Sequence, residues 1–373
     1  MRDYFGRGKI QFLFPIDGDC LNSADGRTEG EILYVPVRIK AEGAKSVLVC
    51  GKQTEKQGDE FVLDMPVIAG ANALTAVADT GDSCKIVVYR FLKAEKGFRI
   101  SADDNILCLK DIAEHAQEYN SIFNNKYLAI YKEAHEKYGA KAHLNLFYET
   151  ANLDGFTPDP DYFNLTMMPD KFKEEWEKNS DWLKLSFHSK KENPMWPYKN
   201  ATAEEITFDC EMVHREIIRF AGKKTLADET TIHFGTATQE GVAALRKLGY
   251  RAIAGYFELD DKGNPLVSYF YPKDLIAHVG ERDFWMDNEL DMLCAKVDRV
   301  LNYSPEPSVN VAAIRKAAEN SHRGGFLEFL IHEQYFYNNY CSYIPKFREV
   351  ILECCKFAFE NGYTGRFLSD LLK

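Results

Sequence analysis

The sequence predicts an α/β chain: a (β/α) barrel, distorted or incomplete, preceded by a small all-β sandwich of immunoglobulin type. Three observations carry this expectation. Residues 10–90 hold six short apolar-polar runs at roughly 10 to 15 residue spacing, separated by Gly, Asp and Asn turns, which is the pattern of a two-sheet antiparallel unit. From residue 97 onward strand-like runs alternate with helical ones, which implies a mainly parallel sheet. Residues able to do chemistry recur at the ends of those strands, where α/β folds place their active sites. The expected division is a sandwich over residues 1–96 and a barrel over residues 97–373.

At 373 residues the chain exceeds the roughly 150 residues of a typical domain, so two domains are expected. Lys plus Arg number 46 against 57 Asp plus Glu, a formal charge of −11, and no basic run is interleaved with aromatics. Nucleic acid is therefore not an expected partner. No apolar run reaches the roughly 18 residues of a membrane span, and none of signal-peptide type follows the N-terminus, so a soluble, cytoplasmic chain without a membrane partner is expected. The nine cysteines (20, 50, 84, 108, 210, 294, 341, 354 and 355) include no CxxC spacing and suit reduced, mostly buried thiols. Asn-x-Ser/Thr triplets at Asn164, Asn200 and Asn302 carry no weight in such a chain.

The strand candidates of the sandwich are residues 10–14, 32–39, 46–50, 60–65, 73–78 and 85–90. Residues 17–26 imitate a calcium loop, but Leu21 stands at a ligand position and two turns are expected instead. Behind the sandwich come a strand over 97–105, helical stretches within 106–138, strands 141–148 and 183–188, and a helix 203–220 capped by Thr202 with Glu204 and Glu205 in its first turn. A strand over 230–234, a helix 238–248 closed by Gly249, strands 251–257 and 325–332 and a helix 345–361 complete the reading. The sandwich would shape one rim of a cleft or mediate a homo-oligomer.

The strand over 97–105 ends in Asp103-Asp104-Asn105. Successive side chains on a strand alternate in direction, so one carboxylate can hold a cation while its neighbour turns toward a substrate. The same run also reads as a solvated polar turn. His188 closes another strand; if the chain turns helical there, His188 and Glu192 face one side and both reach one metal. A lone His at such a place is also commonly a hydrogen-bonded structural residue. His332, at the end of 325–332, has an imidazole suited to protonating a leaving group. His233 ends a further strand candidate. With Trp196, Tyr198 and Trp285 it forms the candidate substrate-contact set, although among 25 Phe, 20 Tyr and 4 Trp most rings must be core.

Taken in order, these motifs resemble the NodB-type polysaccharide deacetylase family, the metal-dependent carbohydrate esterases. Residues 101–105, Ser-Ala-Asp-Asp-Asn, resemble that family's Thr-Phe-Asp-Asp motif, which implies Asp103 as general base and Asp104 as metal ligand. Residues 139–147 are similar to its second-strand pattern. His188-Ser189-Lys190-Lys191-Glu192 is similar to its His-Ser/Thr-x-x-His metal motif, with Glu192 in place of the second histidine. Residues 330–332 resemble the motif that carries the catalytic acid, His332. Residues 233–235 stand where the family has Arg-x-Pro-Tyr-Gly, and this chain lacks the Arg and the Pro. The resemblance covers residues 97–373 and leaves the sandwich outside.

The resemblance implies a divalent metal on Asp104, His188 and Glu192, zinc first, with manganese, magnesium, cobalt or nickel admitted because a carboxylate hardens the ligand set. It implies hydrolysis of an acyl amide or ester, most simply an N-acetyl group on a carbohydrate or another small acylated substrate. Asp103 would take a proton from water and His332 would give one to the departing amine. Two other expectations stand beside it. Loss of the second His and of the Arg would suit a catalytically inactive carbohydrate-binding relative, and Asp103 with Asp287 or Glu333 across a groove would suit a glycosidase.

Overall fold

The computed structural model describes residues 2–373. Nine strands come first: β1 (Ile10–Phe14), β2 (Arg27–Glu29), β3 (Ile32–Ala41), β4 (Val47–Val49), β5 (Lys52–Gln53), β6 (Glu55–Gln57), β7 (Glu60–Val67), β8 (Gly70–Ala78) and β9 (Ser83–Arg90). They form two antiparallel sheets, ordered β1-β3-β7-β6 with β2 on β3, and β5-β4-β8-β9. Period-two alternation turns Leu33, Val35, Val37 and Ile39 of β3 inward, where they pack with Val47, Val49, Ala76 and Val88 in a core of their own.

The second part alternates strands and helices. Its strands are β10 (Gly97–Asn105), β11 (Ala142–Phe147), β12 (Leu183–Ser189), β13 (Glu229–Thr230), β14 (Ala252–Gly255), a hairpin of β15 (Glu258–Leu259) and β16 (Pro265–Leu266), β17 (Phe284–Asp287), β18 (Met292–Lys296), β19 (Arg299–Val300), β20 (Phe326–His332) and β21 (Thr364–Gly365). The helices are α1 (Leu107–Glu114), α2 (Lys126–Tyr138), α3 (Lys173–Lys178), α4 (Ala203–Phe220), α5 (Gln239–Lys247), α6 (Lys273–Gly280), α7 (Pro307–Ala318) and α8 (Phe347–Glu360). One parallel arc runs β12-β11-β10-β20-β19 and a second runs β13-β14-β18, with β17 antiparallel on β18. Where β12 meets β13 the ladder is reduced to a single bridge from Leu185 to Leu226 and a hydrogen bond from the Thr230 hydroxyl to the Phe187 carbonyl. Where β18 meets β19, Val297 N–H donates to Gly255 O at 2.8 Å and Asp298 N–H to Glu328 O at 3.0 Å.

All nine residues of β10 are buried, and they alternate by chemistry. Phe98, Ile100 and Ala102 join the apolar core shared with the helices, while Arg99, Ser101 and Asp103 bond to polar side chains of other strands. The same alternation sets His143 and Asn145 of β11, Ser186 and His188 of β12 and Glu328 and His332 of β20 apart from their apolar neighbours. The chemistry-bearing residues are therefore the upper part of a continuous polar interior.

Two local expectations fail. The strand expected over 230–234 stops at Thr230, because His233–Gly235 form a single 3-10 turn in which Phe234 takes a left-handed φ of 58°. The helical turn that would align His188 with Glu192 does not form: β12 continues through Ser189 and residues 190–202 hold no helix. Elements β17 to β19 and α7 answer to no expectation from the sequence.

The N-terminal segment packs on the second part rather than on the sandwich alone. Tyr4 meets Tyr271 and Trp285 edge-on at 5.9 and 5.8 Å, Arg2 pairs with Asp287 at 2.6 Å, and Arg282 is bonded by Asp25. No helix of the described residues is long and apolar enough to cross a membrane.

Candidate metal centre

At the C-terminal ends of β10, β12, β13 and β20 a cavity of about 330 Å³ is lined by Asp103, Asp104, His188, Glu192, Thr231, His233, His332 and Gln334, among others. Asp104, His188 and His233 are buried, and one ligand atom of each lies within 4.8 Å of the other two. Asp104 Oδ1 is 3.0 Å from His188 Nε2 and 3.4 Å from His233 Nδ1. His233 Nδ1 is 3.1 Å from His188 Nε2.

The outer nitrogen of each imidazole settles what the inner one carries. His188 Nδ1 faces the Thr231 carbonyl, and His233 Nε2 lies 2.9 Å from the Glu192 carbonyl. Carbonyls only accept, so both outer nitrogens are N–H donors, and a neutral ring in this position turns a lone pair inward. Burial lowers the pKa of His188, which keeps it neutral. The Asp104 carboxyl sits between these two rings and the Gln334 amide. Its Oδ2 accepts from Gln334 Nε2 at 2.8 Å, whereas its Oδ1 has no hydrogen-bond partner. Three possible ligand atoms, Asp104 Oδ1, His188 Nε2 and His233 Nδ1, thus converge. Such a set is costly when dry and suits a cation. Phe147 packs on both imidazoles, at 5.4 Å from His188 and edge-on at 5.0 Å from His233, and limits their rotation.

Asp103 and His332 are register partners on the neighbouring strands β10 and β20. Asp103 Oδ1 accepts from Asn145 Nδ2 at 2.6 Å, and burial, with Asp104 alongside, pushes its carboxyl well above the usual range. His332 Nδ1 lies 2.9 Å from Asn302 Oδ1, so this nitrogen carries the proton and Nε2 is free toward the cavity. Burial lowers its pKa.

Six of the expected site residues line this cavity: Asp103, Asp104, His188, Glu192, His233 and His332. His233, expected at the substrate, stands where the third ligand was sought. Glu192, expected as that ligand, lines the same cavity outside the three-atom group: without a helical turn its carboxylate reaches the Asp154 N–H at 2.8 Å. Burial pushes it up to about 7. Trp285 is 1% exposed, packed between Tyr4 and Tyr271 with its indole N–H on Asp17 O, and does not line the cavity. Tyr198 is 2% exposed and Trp196 half exposed, and both lie along a neighbouring groove with Phe208. Neither partner of the glycosidase expectation faces Asp103. Asp287 is held by Arg2 and Tyr271, and Glu333 turns its carboxylate onto the N–H groups of Ile106, Leu107 and Cys108 at the start of α1. Residues the sequence reading passed over are Asn145, Thr231, Asn302 and Gln334; of these only Asn145 carried a signal, as the polar residue two places after His143 on an otherwise apolar strand.

No protein-family model matches this chain, and no curated protein matches it. Solved structures similar to it include a CE4 family pseudoenzyme from Bacillus anthracis, 14% identical, with a TM-score of 0.37 over 75% of this chain and 66% of that one. A family 4 acetyl xylan esterase from Clostridium thermocellum, in complex with a cobalt ion, is 11% identical with a TM-score of 0.37 over 74% of this chain and 90% of that one. A CE4 esterase from Streptococcus mutans is 10% identical with a TM-score of 0.35 over 74% and 87%.

Proposed function

We propose that residues 97–373 are a distorted (β/α) barrel of the deacetylase type and that the chain is a metal-dependent hydrolase removing an acyl group, most simply N-acetyl, from a carbohydrate. The observation that carries this reading is the convergence of Asp104 Oδ1, His188 Nε2 and His233 Nδ1, three possible ligand atoms, beside a second carboxylate and a third imidazole. Asp104, His188 and His233 would hold a divalent ion, zinc first. When bound, such an ion polarises an acyl oxygen and makes water more acidic.

The remaining steps belong to the chain's own groups. Asp103, one residue from the ligand Asp104 and held by the Asn145 amide on Oδ1, takes the proton of the attacking water. His332, fixed by Asn302, offers Nε2 to the departing amine or alcohol and must be protonated to serve it. Tyr256, Tyr335 and Tyr340 wall the cavity and keep bulk water from the acyl group.

The experiment is metal analysis followed by an acetate-release assay on acetylated mono- and oligosaccharides. Asp104→Asn should empty the site, whereas Asp103→Asn should keep the ion and lose roughly 10²- to 10⁴-fold in turnover. Bound metal with no acetate released from any acetylated sugar would leave the inactive, carbohydrate-binding alternative in place.

A further inference from the structure

Behind Asp103 the polar interior forms one continuous line of hydrogen bonds. Arg99 Nη1 is 3.0 Å from His143 Nδ1, His143 Nε2 is 2.8 Å from Ser186 Oγ, Ser186 Oγ donates to Asn145 Oδ1 at 2.6 Å, and Asn145 Nδ2 donates to Asp103 Oδ1 at 2.6 Å. Arg99, His143, Ser186 and Asn145 are each fully buried.

The direction of every link follows from groups that have no choice. A guanidinium only donates, so His143 Nδ1 accepts from Arg99 and the ring proton sits on Nε2. That proton goes to Ser186 Oγ, whose own hydrogen is then free for Asn145 Oδ1. The backbone N–H of Thr231, also donor-only, points at the same Oδ1 at 3.3 Å. Asn145 is thereby held with its oxygen toward Ser186 and its amide toward Asp103. The far end is equally fixed. Arg99 is clamped by Glu328, with Nε 2.9 Å from Oε2, and by Glu229 at 2.6 Å, and Glu229 in turn accepts the Ser369 N–H at 2.7 Å. With Glu229 and Glu328 both on it the guanidinium leaves no net positive charge, so what the line conveys is orientation.

We infer that Arg99, His143, Ser186 and Asn145 form a one-way chain of donors that positions the Asp103 carboxylate, with Asn145 the positioning residue in contact with it. The inference rests on the proposed role of Asp103 as base and adds what keeps that carboxylate aimed. Each link polarises the next, so the chain is worth more than its separate bonds. Ser101 Oγ, 3.0 Å from Asn145 Nδ2, takes the amide's second hydrogen and closes the arrangement.

The test uses the full chain loaded with zinc. In ring-labelled protein, nitrogen NMR should find His143 neutral with its proton on Nε2 from pH 6 to 8, a readout that needs no substrate. Ser186→Ala removes one link without changing charge. Its crystal structure should show Asn145 and Asp103 rotated from their places, its zinc content should match wild type, and kcat for acetate release should fall by about tenfold or more with KM little changed, while Ser186→Thr restores most of kcat. A His143 proton on Nδ1, or Asn145 and Asp103 unmoved in Ser186→Ala, overturns the chain whatever the activity. If no acylated sugar is turned over, the tautomer and the crystal structure still decide the chain, and the failure falls on the proposed reaction alone.

Discussion

His188 Nε2 and His233 Nδ1 face each other at 3.1 Å, each imidazole donating a hydrogen bond from its other nitrogen to a backbone carbonyl. A cation between them would satisfy both nitrogens together with Asp104 Oδ1. We propose His233, on the turn after β13, as the third ligand. His233→Ala should therefore weaken zinc binding by about tenfold or more, on the order of 1.4 kcal/mol. Glu192→Ala should change it by less than about threefold, roughly 0.7 kcal/mol. Competition with a chromogenic chelator measures both. Weak binding in Glu192→Ala beside wild-type binding in His233→Ala would return Glu192 to the ligand set.

Glu333 illustrates how proximity in sequence to a catalytic candidate misleads. It follows His332 directly, yet its buried carboxylate accepts three backbone N–H groups at the start of α1 and the Tyr337 hydroxyl at 2.8 Å. Charge-assisted capping of a helix N-terminus is a structural duty. Glu333→Ala should cost about 2 to 3 kcal/mol in urea unfolding, with zinc content unchanged. A stable variant that had lost turnover would instead make Glu333 part of the chemistry.

Much of this arrangement was legible in the sequence wherever a period was unbroken. The alternation of Phe98, Ile100 and Ala102 with Arg99, Ser101 and Asp103 marks β10 and its end, and Thr202 with Glu205 marks the start of α4 by a reciprocal cap. Where the chain changes direction within a few residues, the period says little. Residues 230–234 read as one strand, but the left-handed Phe234 before Gly235 bends the chain and brings His233 beside Asp104 and His188. The i, i+4 argument for Glu192 needed a helical turn starting at His188, but β12 stays extended through Ser189. Strands as short as Arg299–Val300 hold too few side chains to show alternation at all.

Glu192 keeps a measurable property even outside the ligand set. Its carboxyl is pushed by burial from an ordinary 4.5 to about 7. Between those values the folded chain binds more protons than the unfolded one, so this group's contribution to stability is complete below about pH 4.5 and is lost as pH rises through about 7. Glu192→Gln, neutral throughout, should lose less stability than wild type across that window. Urea unfolding of chelator-treated protein at its two ends tests this, and parallel losses in both proteins would mean the carboxyl is ionised throughout.

We propose a division of the chain near residue 96 in which the first segment nevertheless belongs to the barrel. Asp287 is wholly buried and paired with Arg2, Arg282 is bonded by Asp25, and the Trp285 indole lies against Tyr4 and Asp17. Removing one partner of a buried ion pair costs about 3 to 5 kcal/mol, and a cut at 96 would remove partners from Asp287 and Arg282 together. That loss is a large part of the roughly 5 to 15 kcal/mol by which a domain is stable. A chain of residues 97–373 should therefore fail to fold, while the full chain, cleaved between residues 91 and 97 by an inserted protease site, should stay as one particle in gel filtration because residues 2–25 remain seated. Cooperative unfolding and wild-type zinc content in the 97–373 chain would show that the barrel closes without the N-terminal segment.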